Sequence, residues 1–133
     1  MTHDEFIGQV QQRALSSRGD AERATRVVPE TLAERLAGGE PKDLASQLPP
    51  ELGRHLLHVG AGTGEPFSPD DFFALVSVRE GVDLPAAVQH ARAVIAVLQE
   101  AVSPGEIEDV RSQLPRDFDR LFEAGSEGAM PRQ

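Results

Sequence analysis

The stretch GGEPKDLASQLP, residues 38–49, decides the fold because it recurs as PGEIEDVRSQLP at residues 104–115. The glycine, the glutamate, the aspartate and the closing Ser-Gln-Leu-Pro run are identical at a constant offset of 66 positions. Outward from this block, the same offset aligns residues 2–56 with residues 68–122 without a gap. So many matches in one register rarely arise by chance. The sequence therefore predicts an internal duplication.

Each half is predicted to contain four α-helices, which we call A to D. Helix A begins at a hydroxyl N-cap with an acidic residue three positions later, Thr2 with Glu5 and Ser68 with Asp71. This is the pattern of a capping box or its close variant. The apolar face of helix A consists of Phe6, Ile7 and Val10 in the first half and Phe72, Phe73 and Val76 in the second.

Helix B is the longest, and its apolar residues recur at spacings of three and four, as in an amphipathic helix. In the second half Asp83 is the predicted N-cap, and Pro85 lies in the first turn, where its missing N–H costs little. Gly39 and Gly105 are predicted to end the helix in the two halves.

Pro29 interrupts this pattern in the first half, where it occupies the position of Ile95 in the second. A proline inside a helix removes one backbone hydrogen bond and clashes with the preceding turn. We therefore predict either a kink near residues 25–29 or a break at Pro29.

Helix C is predicted over residues 40–48 and 106–114, and ends before the proline that follows because the residue before a proline disfavours the helical conformation. Helix D follows at once, over residues 50–59 and 116–124. The predicted fold is all-α, a tandem duplication of two four-helix units packed into one helical bundle with pseudo-twofold symmetry.

The domain organisation follows from this alignment. The first repeat covers residues 1–59 and the second covers residues 68–124. Between them, residues 60–67 are rich in glycine, which predicts a flexible linker. Residues 125–133 are predicted to form a flexible tail.

Composition narrows the classes of function. The chain has 133 residues, no cysteine and a net charge of −9, so it has no disulfide framework and no thiolate metal site. Residues 63–133 carry 6 basic and 13 acidic residues, against 7 and 9 in residues 1–62. This acidity disfavours nucleic-acid binding. The sequence has no signal peptide pattern and no membrane span, so we expect a cytoplasmic protein, and its Arg, Ala, Gly and Pro content suggests a bacterium.

The run DEF at residues 4–6, the paired Gly-Glu to Gln-Leu-Pro blocks and FDRLF at residues 118–122 resemble a bacterial family known only as domain of unknown function 2267. The resemblance covers residues 2–123 and implies an all-helical fold. Because the family has no assigned activity, it implies no catalytic residue. Pro29 and Pro41 depart from the family's pattern.

Candidate metal ligands occur in the first copy of helix D. Glu51, His55 and His58 lie three and four residues apart, so one helix face would present all three to a metal ion. The alternative is a polar helix face that runs into a loop, which is favoured by the residues at the equivalent positions of the second half, Asp117, Leu121 and Ala124.

Other patterns suggest chemistry only weakly. The glycines 60, 62 and 64 follow a helix rather than a strand and no lysine follows them, so they indicate a linker rather than a phosphate loop. Ser46 and Ser112 adjoin glutamine rather than histidine, which gives acyl transfer no support. The acidic residues of helix C are expected to lie exposed in the first turn, where the helix dipole stabilises them (Glu40, Asp43, Glu106, Glu108 and Asp109). A calcium site is the alternative, but their spacing is not that of an EF-hand loop.

Several charged residues are identical in the two halves although most surface positions differ. We hypothesise that Arg26 and Arg92 pair with Asp43 and Asp109, or with a helix C-terminus, as partly buried structural ion pairs. The other repeated charges are Arg13 with Arg79, Glu34 with Glu100, and Arg54 with Arg120.

With no catalytic or cofactor-binding residue predicted, the preferred function is a non-catalytic helical module. It would bind a partner protein, a second copy of itself or a small apolar ligand in a groove between the halves. One alternative is a DNA-associated regulator with helix-turn-helix-like elements, which the acidic charge disfavours. The other is an enzyme of unknown class. No cofactor, nucleic acid or membrane partner is expected.

Overall fold

A computed structural model describes residues 1–122, and over these residues the chain is helical with no β-strand. The predicted all-α class is therefore confirmed. The predicted tail, 125–133, and the end of the second helix D lie outside the described residues. In chain order the α-helices are α1 (His3–Ala14), α2 (Arg18–Arg35), α3 (Glu40–Ala45), α4 (Pro50–Gly53), α5 (Pro69–Glu80), α6 (Leu84–Ala101) and α7 (Pro104–Ser112), with 3₁₀ turns at Arg54–Leu56 and Arg116–Phe118.

The predicted helix starts are confirmed by side-chain caps. Thr2 accepts a hydrogen bond from the backbone N–H of Glu5 at 3.1 Å, and the Glu5 carboxylate accepts one from Thr2 at 2.8 Å. Ser68 and Asp71 form the same box at the start of α5. Each box satisfies two N–H groups that a helix terminus leaves free. Asp83 likewise caps α6.

The predicted end of helix B is wrong in both halves. α2 ends at Arg35 and α6 at Ala101, before either glycine. At the next residues, Leu36 and Val102, the backbone turns extended, and both side chains are buried. The chain leaves the helix to bury these apolar groups. Gly39 then precedes α3, and Gly105 lies inside α7.

The first copies of helices C and D are also shorter than predicted. α3 ends at Ala45 rather than at residue 48, and α4 ends at Gly53. A 3₁₀ turn then continues to Leu56. At Gly53 a Cβ atom would lie 3.0 Å from the Ala45 carbonyl oxygen, so a glycine permits the close packing of α4 against α3.

Helix α2 continues through Pro29 from Arg18 to Arg35. The alternative of a break at this proline is therefore wrong, whereas the kink stays a prediction. Pro29 cannot donate to the Thr25 carbonyl, but the turns on either side keep the helix intact. The Thr31 hydroxyl donates to the Val27 carbonyl at 2.8 Å within this buried stretch.

Backbone hydrogen bonds tie the predicted linker, residues 60–67, to the end of α2. The N–H groups of Gly62, Gly64 and Glu65 donate to carbonyls near the end of α2, at 2.8 to 2.9 Å. Gly62 has a φ of 79°, and a Cβ there would lie 2.6 Å from the Gly38 carbonyl oxygen. This glycine therefore serves a close backbone approach. The segment satisfies carbonyls that the end of α2 leaves free.

The long helices pack across the two halves. α1 lies against α2 and α6, and α5 lies against α6 and α2. Phe6 and Phe72 are fully buried in the resulting core, where Phe72 meets Phe118 edge-on at 6.4 Å. Burying a side chain of this size stabilises the fold by about 1.5–3 kcal/mol. Across the described residues, no helix combines the length and apolar character needed to cross a membrane.

Candidate functional site

The candidate site lies where α3 and α7 meet, a contact between the two halves that we call the seam. Glu40 is the first residue of α3, and Glu106 lies in the first turn of α7. Their side chains contact each other, and the residues are only 8% and 9% exposed. The sequence-based expectation that these carboxylates are exposed is therefore wrong. Because α3 and α7 pack against each other, the first turn of each helix faces the interior.

Neither buried carboxylate is fully satisfied. The Oε2 atoms of both Glu40 and Glu106 have no hydrogen-bond partner in the described part of the chain. Gln47 donates a long hydrogen bond, 3.4 Å, to Glu106 Oε1. A buried polar atom without a partner is costly, and a buried charge more so. These two oxygens therefore need a proton or a cation.

The electrostatics of the pair point the same way. Burial, together with the hydrogen bond and negative charge of Glu106, raises the pKa of Glu40 from 4.5 to about 8. Asp43 and Asp109 add smaller repulsions. Two like charges in one site disfavour double ionisation, so near neutral pH the pair retains one proton.

A third carboxylate extends the pair towards solvent. One oxygen each of Glu40, Glu106 and Asp109 lie within 4.8 Å of one another. Asp109 is exposed, so the group is open at this end. We call these three residues the seam cluster. Oxygen atoms from three carboxylates are ligands of the type that hard cations prefer.

The repeated glutamines hold the two helices in place around the seam cluster. Gln47 accepts a hydrogen bond from the backbone N–H of Ser103 at 2.8 Å. Gln113 accepts one from the backbone N–H of Ala37 at 2.9 Å. Each glutamine thus reaches from one half to the turn before the short helix of the other half.

The ion pairs predicted for the repeated arginines are wrong. Arg26 contacts Glu30 at 3.5 Å, one turn along its own helix, rather than Asp43. Arg92 is exposed and forms no ion pair with Asp109 or with any other described residue. Both arginines lie on solvent-facing sides of the long helices, away from the seam.

Other repeated charges do pair, and they do so across the halves. Arg13 contacts Glu100 at 2.6 Å. Arg79 binds both carboxylate oxygens of Glu34, at 2.9 and 3.0 Å. All four residues recur at the offset of 66, although the repeat alone does not identify their partners. The signal was present, because two arginines and two glutamates recur at one offset.

The candidate metal ligands of the first helix D are not brought together. His58 contacts the Glu30 carbonyl at 2.9 Å, and His55 lies 3.8 Å from the Glu30 carboxylate. Because the helical segment ends at Leu56, His58 no longer follows Glu51 and His55 on one face. Burial lowers the pKa of His55, which favours the neutral ring.

A buried pair that sequence reasoning missed lies between α5 and α6. His90 Nδ1 and Glu80 Oε1 are 2.7 Å apart, and both residues are buried. Burial raises the pKa of Glu80, and the contact with His90 opposes that rise. The equivalent positions in the first half are Ala14 and Ala24, so the predicted duplication offered no signal. The other oxygen of Glu80, Oε2, is buried without a partner among the described residues.

Two surface clefts of the described chain have no residue of the seam cluster in their lining. The larger, about 630 Å³, is lined by residues of α6 and α7, including Gln99, Ile107 and Arg111. The smaller, about 390 Å³, contains Arg23 and Arg26. Both of these arginines pair with carboxylates on the same helix, which offsets the basic character of this cleft.

Comparison with known proteins places the chain in a family. No match was found among curated proteins. The family model described as "Uncharacterized conserved protein (DUF2267)" matches residues 3–121, which is nearly all of the described chain. This confirms the resemblance drawn from the repeated Gln-Leu-Pro blocks. The chain therefore belongs to the DUF2267 family.

Proposed function

We propose that the chain is a non-catalytic helical module that binds a small, positively charged ligand at the seam between two duplicated halves. The observation that carries this proposal is the pair of buried carboxylates, Glu40 and Glu106, whose Oε2 atoms have no hydrogen-bond partner elsewhere in residues 1–122. A cation bound from solvent would neutralise both carboxylates. This ligand replaces the apolar one that the sequence favoured, because the seam is lined by acid groups.

The proposed duplication and pseudo-twofold axis are supported by reciprocal contacts. A twofold axis makes residue i of one half contact residue j of the other, and the reverse. Arg13 of the first half contacts Glu100 of the second, and their counterparts 66 positions away, Arg79 and Glu34, contact each other in the same way. Gln47 with Ser103 and Gln113 with Ala37 exchange in the same way.

The same axis accounts for the position of the site. Residues near a twofold axis meet their own counterparts, and Glu40 meets Glu106, which occupies the same position in the second half. A duplicated acidic residue near the axis therefore becomes an acidic pair. We infer that the seam is the binding region and that the repeated glutamines define its shape.

The wider setting is also part of the proposal. A chain without cysteine suits a reducing compartment, so we place the module in the bacterial cytoplasm. The DNA-associated alternative has little support, because Arg23 and Arg26 of the small cleft are paired with acidic residues.

Thermal unfolding tests the proposal. Ca²⁺, spermidine and an arginine-rich peptide are each added to the full chain and to the double variant Glu40→Gln/Glu106→Gln. A ligand at 100 times its Kd stabilises the folded state by about 2.7 kcal/mol. We expect at least one cation to raise the Tm of the wild type by several degrees and to leave the double variant unchanged. If no cation raises the Tm, or if both proteins respond equally, the proposal is wrong.

A further inference from the structure

We propose that the seam cluster, Glu40, Glu106 and Asp109, is a binding site for a hard divalent cation such as Ca²⁺. This inference rests on the proposed function and names its ligand. Three carboxylates from α3 and α7 supply only oxygen ligands. Ca²⁺, Mg²⁺ and Mn²⁺ prefer such ligands, whereas zinc favours histidine and cysteine.

The spacing of the cluster allows all three carboxylates to reach one ion. The three ligand oxygens lie within 4.8 Å of one another, and oxygens on opposite sides of a Ca²⁺ ion are about 5 Å apart. Mg²⁺ dehydrates reluctantly and usually keeps several water ligands. A partly buried cluster of three carboxylates therefore suits Ca²⁺ better than Mg²⁺.

The two unsatisfied oxygens point to a bound ion independently of that spacing. Glu40 and Glu106 are each more than nine-tenths buried, and within residues 1–122 no donor reaches their Oε2 atoms apart from a proton shared between the two. Glu80 also has a buried Oε2 atom without a described partner, but its other oxygen meets His90, whereas at the seam two such carboxylates meet each other. A cation between the two carboxylates would satisfy both oxygens at once.

Access and support are both present at the cluster. Asp109 is exposed, so it offers a route from solvent and room for the water ligands that complete a Ca²⁺ shell. Gln47 contacts Glu106 at 3.4 Å and holds the Ser103 N–H at 2.8 Å, which fixes the two helix starts. Such outer contacts orient ligands and commonly affect metal affinity about 10-fold or more.

Isothermal titration calorimetry of Ca²⁺ into the full chain, stripped of metal with a chelator, tests the site. We expect saturable binding of one ion, lost in Glu106→Gln. Asp109→Asn, at an exposed position, should fold normally and bind at least about 10-fold more weakly, since it removes a ligand. Circular dichroism checks the fold of each variant.

Asp43→Asn is the matched control because Asp43 is the counterpart of Asp109 at the offset of 66 and is also exposed. It removes the same charge, but Asp43 does not belong to the group of oxygens within 4.8 Å. We expect its affinity for Ca²⁺ to stay within about threefold of wild type. Equal loss of affinity in both variants would show general charge attraction and overturn the site.

Further arms separate this inference from the proposed function. Because Mg²⁺ dehydrates reluctantly, it should bind at least about 10-fold more weakly than Ca²⁺, and equal affinity would overturn the preference for Ca²⁺. If Ca²⁺ gives no saturable heat but spermidine stabilises wild type and not Glu40→Gln/Glu106→Gln, the divalent site is wrong and the proposed function stands. If neither ligand binds, both are wrong, and the carboxylate pair holds a shared proton only.

Discussion

The seam and the contact between α5 and α6 both bury a carboxylate, but its negative charge is compensated differently at the two sites. Glu80 has His90 at 2.7 Å as a built-in partner. Glu40 faces another carboxylate, Glu106, and the pair has unsatisfied oxygens. A buried charge must be paired or neutralised. The first site therefore has a basic partner built in for one oxygen of Glu80, whereas the second needs a proton or a cation from solvent, and this contrast separates a paired carboxylate from a candidate cation site.

The largest effect is expected from His90→Ala, which leaves Glu80 buried without its partner. Breaking a buried pair in this way costs about 3–5 kcal/mol. The free energy of unfolding in urea measures it. The double variant His90→Ala/Glu80→Ala recreates the alanines of the first half and should be more stable than the single variant. A loss below about 1 kcal/mol in His90→Ala would contradict the comparison.

A smaller effect is expected from the pH dependence of the seam. Because the folded pKa of Glu40 is about 8 and its ordinary value is 4.5, its protonated form is stabilised by folding. This contribution is fully present below pH 4.5 and is lost as the pH rises through about 8. Glu40→Gln, which stays neutral, should therefore gain stability relative to wild type by up to about 1.4 kcal/mol per pH unit between pH 5 and pH 8.

Thermal unfolding of both proteins in metal-free buffer across this range measures that difference. Subtracting one protein from the other removes the pH-dependent contributions that the two share, including those of the carboxylates near Glu40, which are Glu106, Asp43 and Asp109. A constant difference between the two proteins from pH 5 to pH 8 would show that Glu40 titrates normally.

An effect of about 1 kcal/mol is expected from the repeated glutamines. Gln47→Ala and Gln113→Ala each remove the acceptor of one backbone N–H, at Ser103 and Ala37. Only Gln47 also contacts Glu106. Chemical denaturation should show similar losses, while Ca²⁺ titration should show weaker binding in Gln47→Ala alone. The reverse order of affinities would contradict the role given to Gln47.

The smallest effects are expected from the ion pairs across the halves. Arg79 makes two hydrogen bonds to Glu34, whereas Arg13 makes one to Glu100, and both pairs are partly exposed. Arg79→Ala should cost about 1 kcal/mol and Arg13→Ala about 0.5 kcal/mol. Double-mutant cycles with Glu34→Ala and Glu100→Ala isolate each pair. Coupling that is larger for the Arg13 pair would contradict this ranking.

Local patterns in the sequence predicted the helix starts well, because a cap such as Thr2 with Glu5 is set by residues three positions apart. The ends were harder. Helix α2 stops where Leu36 must be buried, and burial depends on contacts between distant segments. The contacts of residues 60–67 also depend on distant segments. A glycine-rich composition does not indicate that the Gly62 N–H binds a carbonyl at the end of α2.

The candidate site was hidden by the same dependence on long-range packing. The Gly-Glu repeat was visible at Glu40 and Glu106, but an acidic residue in a first turn is usually exposed and favoured by the helix dipole. Only the packing of the two halves makes these residues meet. The pairing of Arg79 with Glu34 was not predicted for the same reason. Pairing the repeated arginines of one half with the repeated glutamates of the other would have predicted it.

The most direct test of the cation site is a crystal structure with Mn²⁺, which shares the oxygen preference of Ca²⁺ and scatters X-rays anomalously. We expect one anomalous peak at the seam, within about 2.6 Å of oxygens from Glu40, Glu106 and Asp109. A map with no peak there at saturating Mn²⁺, and the two glutamates still in contact, would contradict the site.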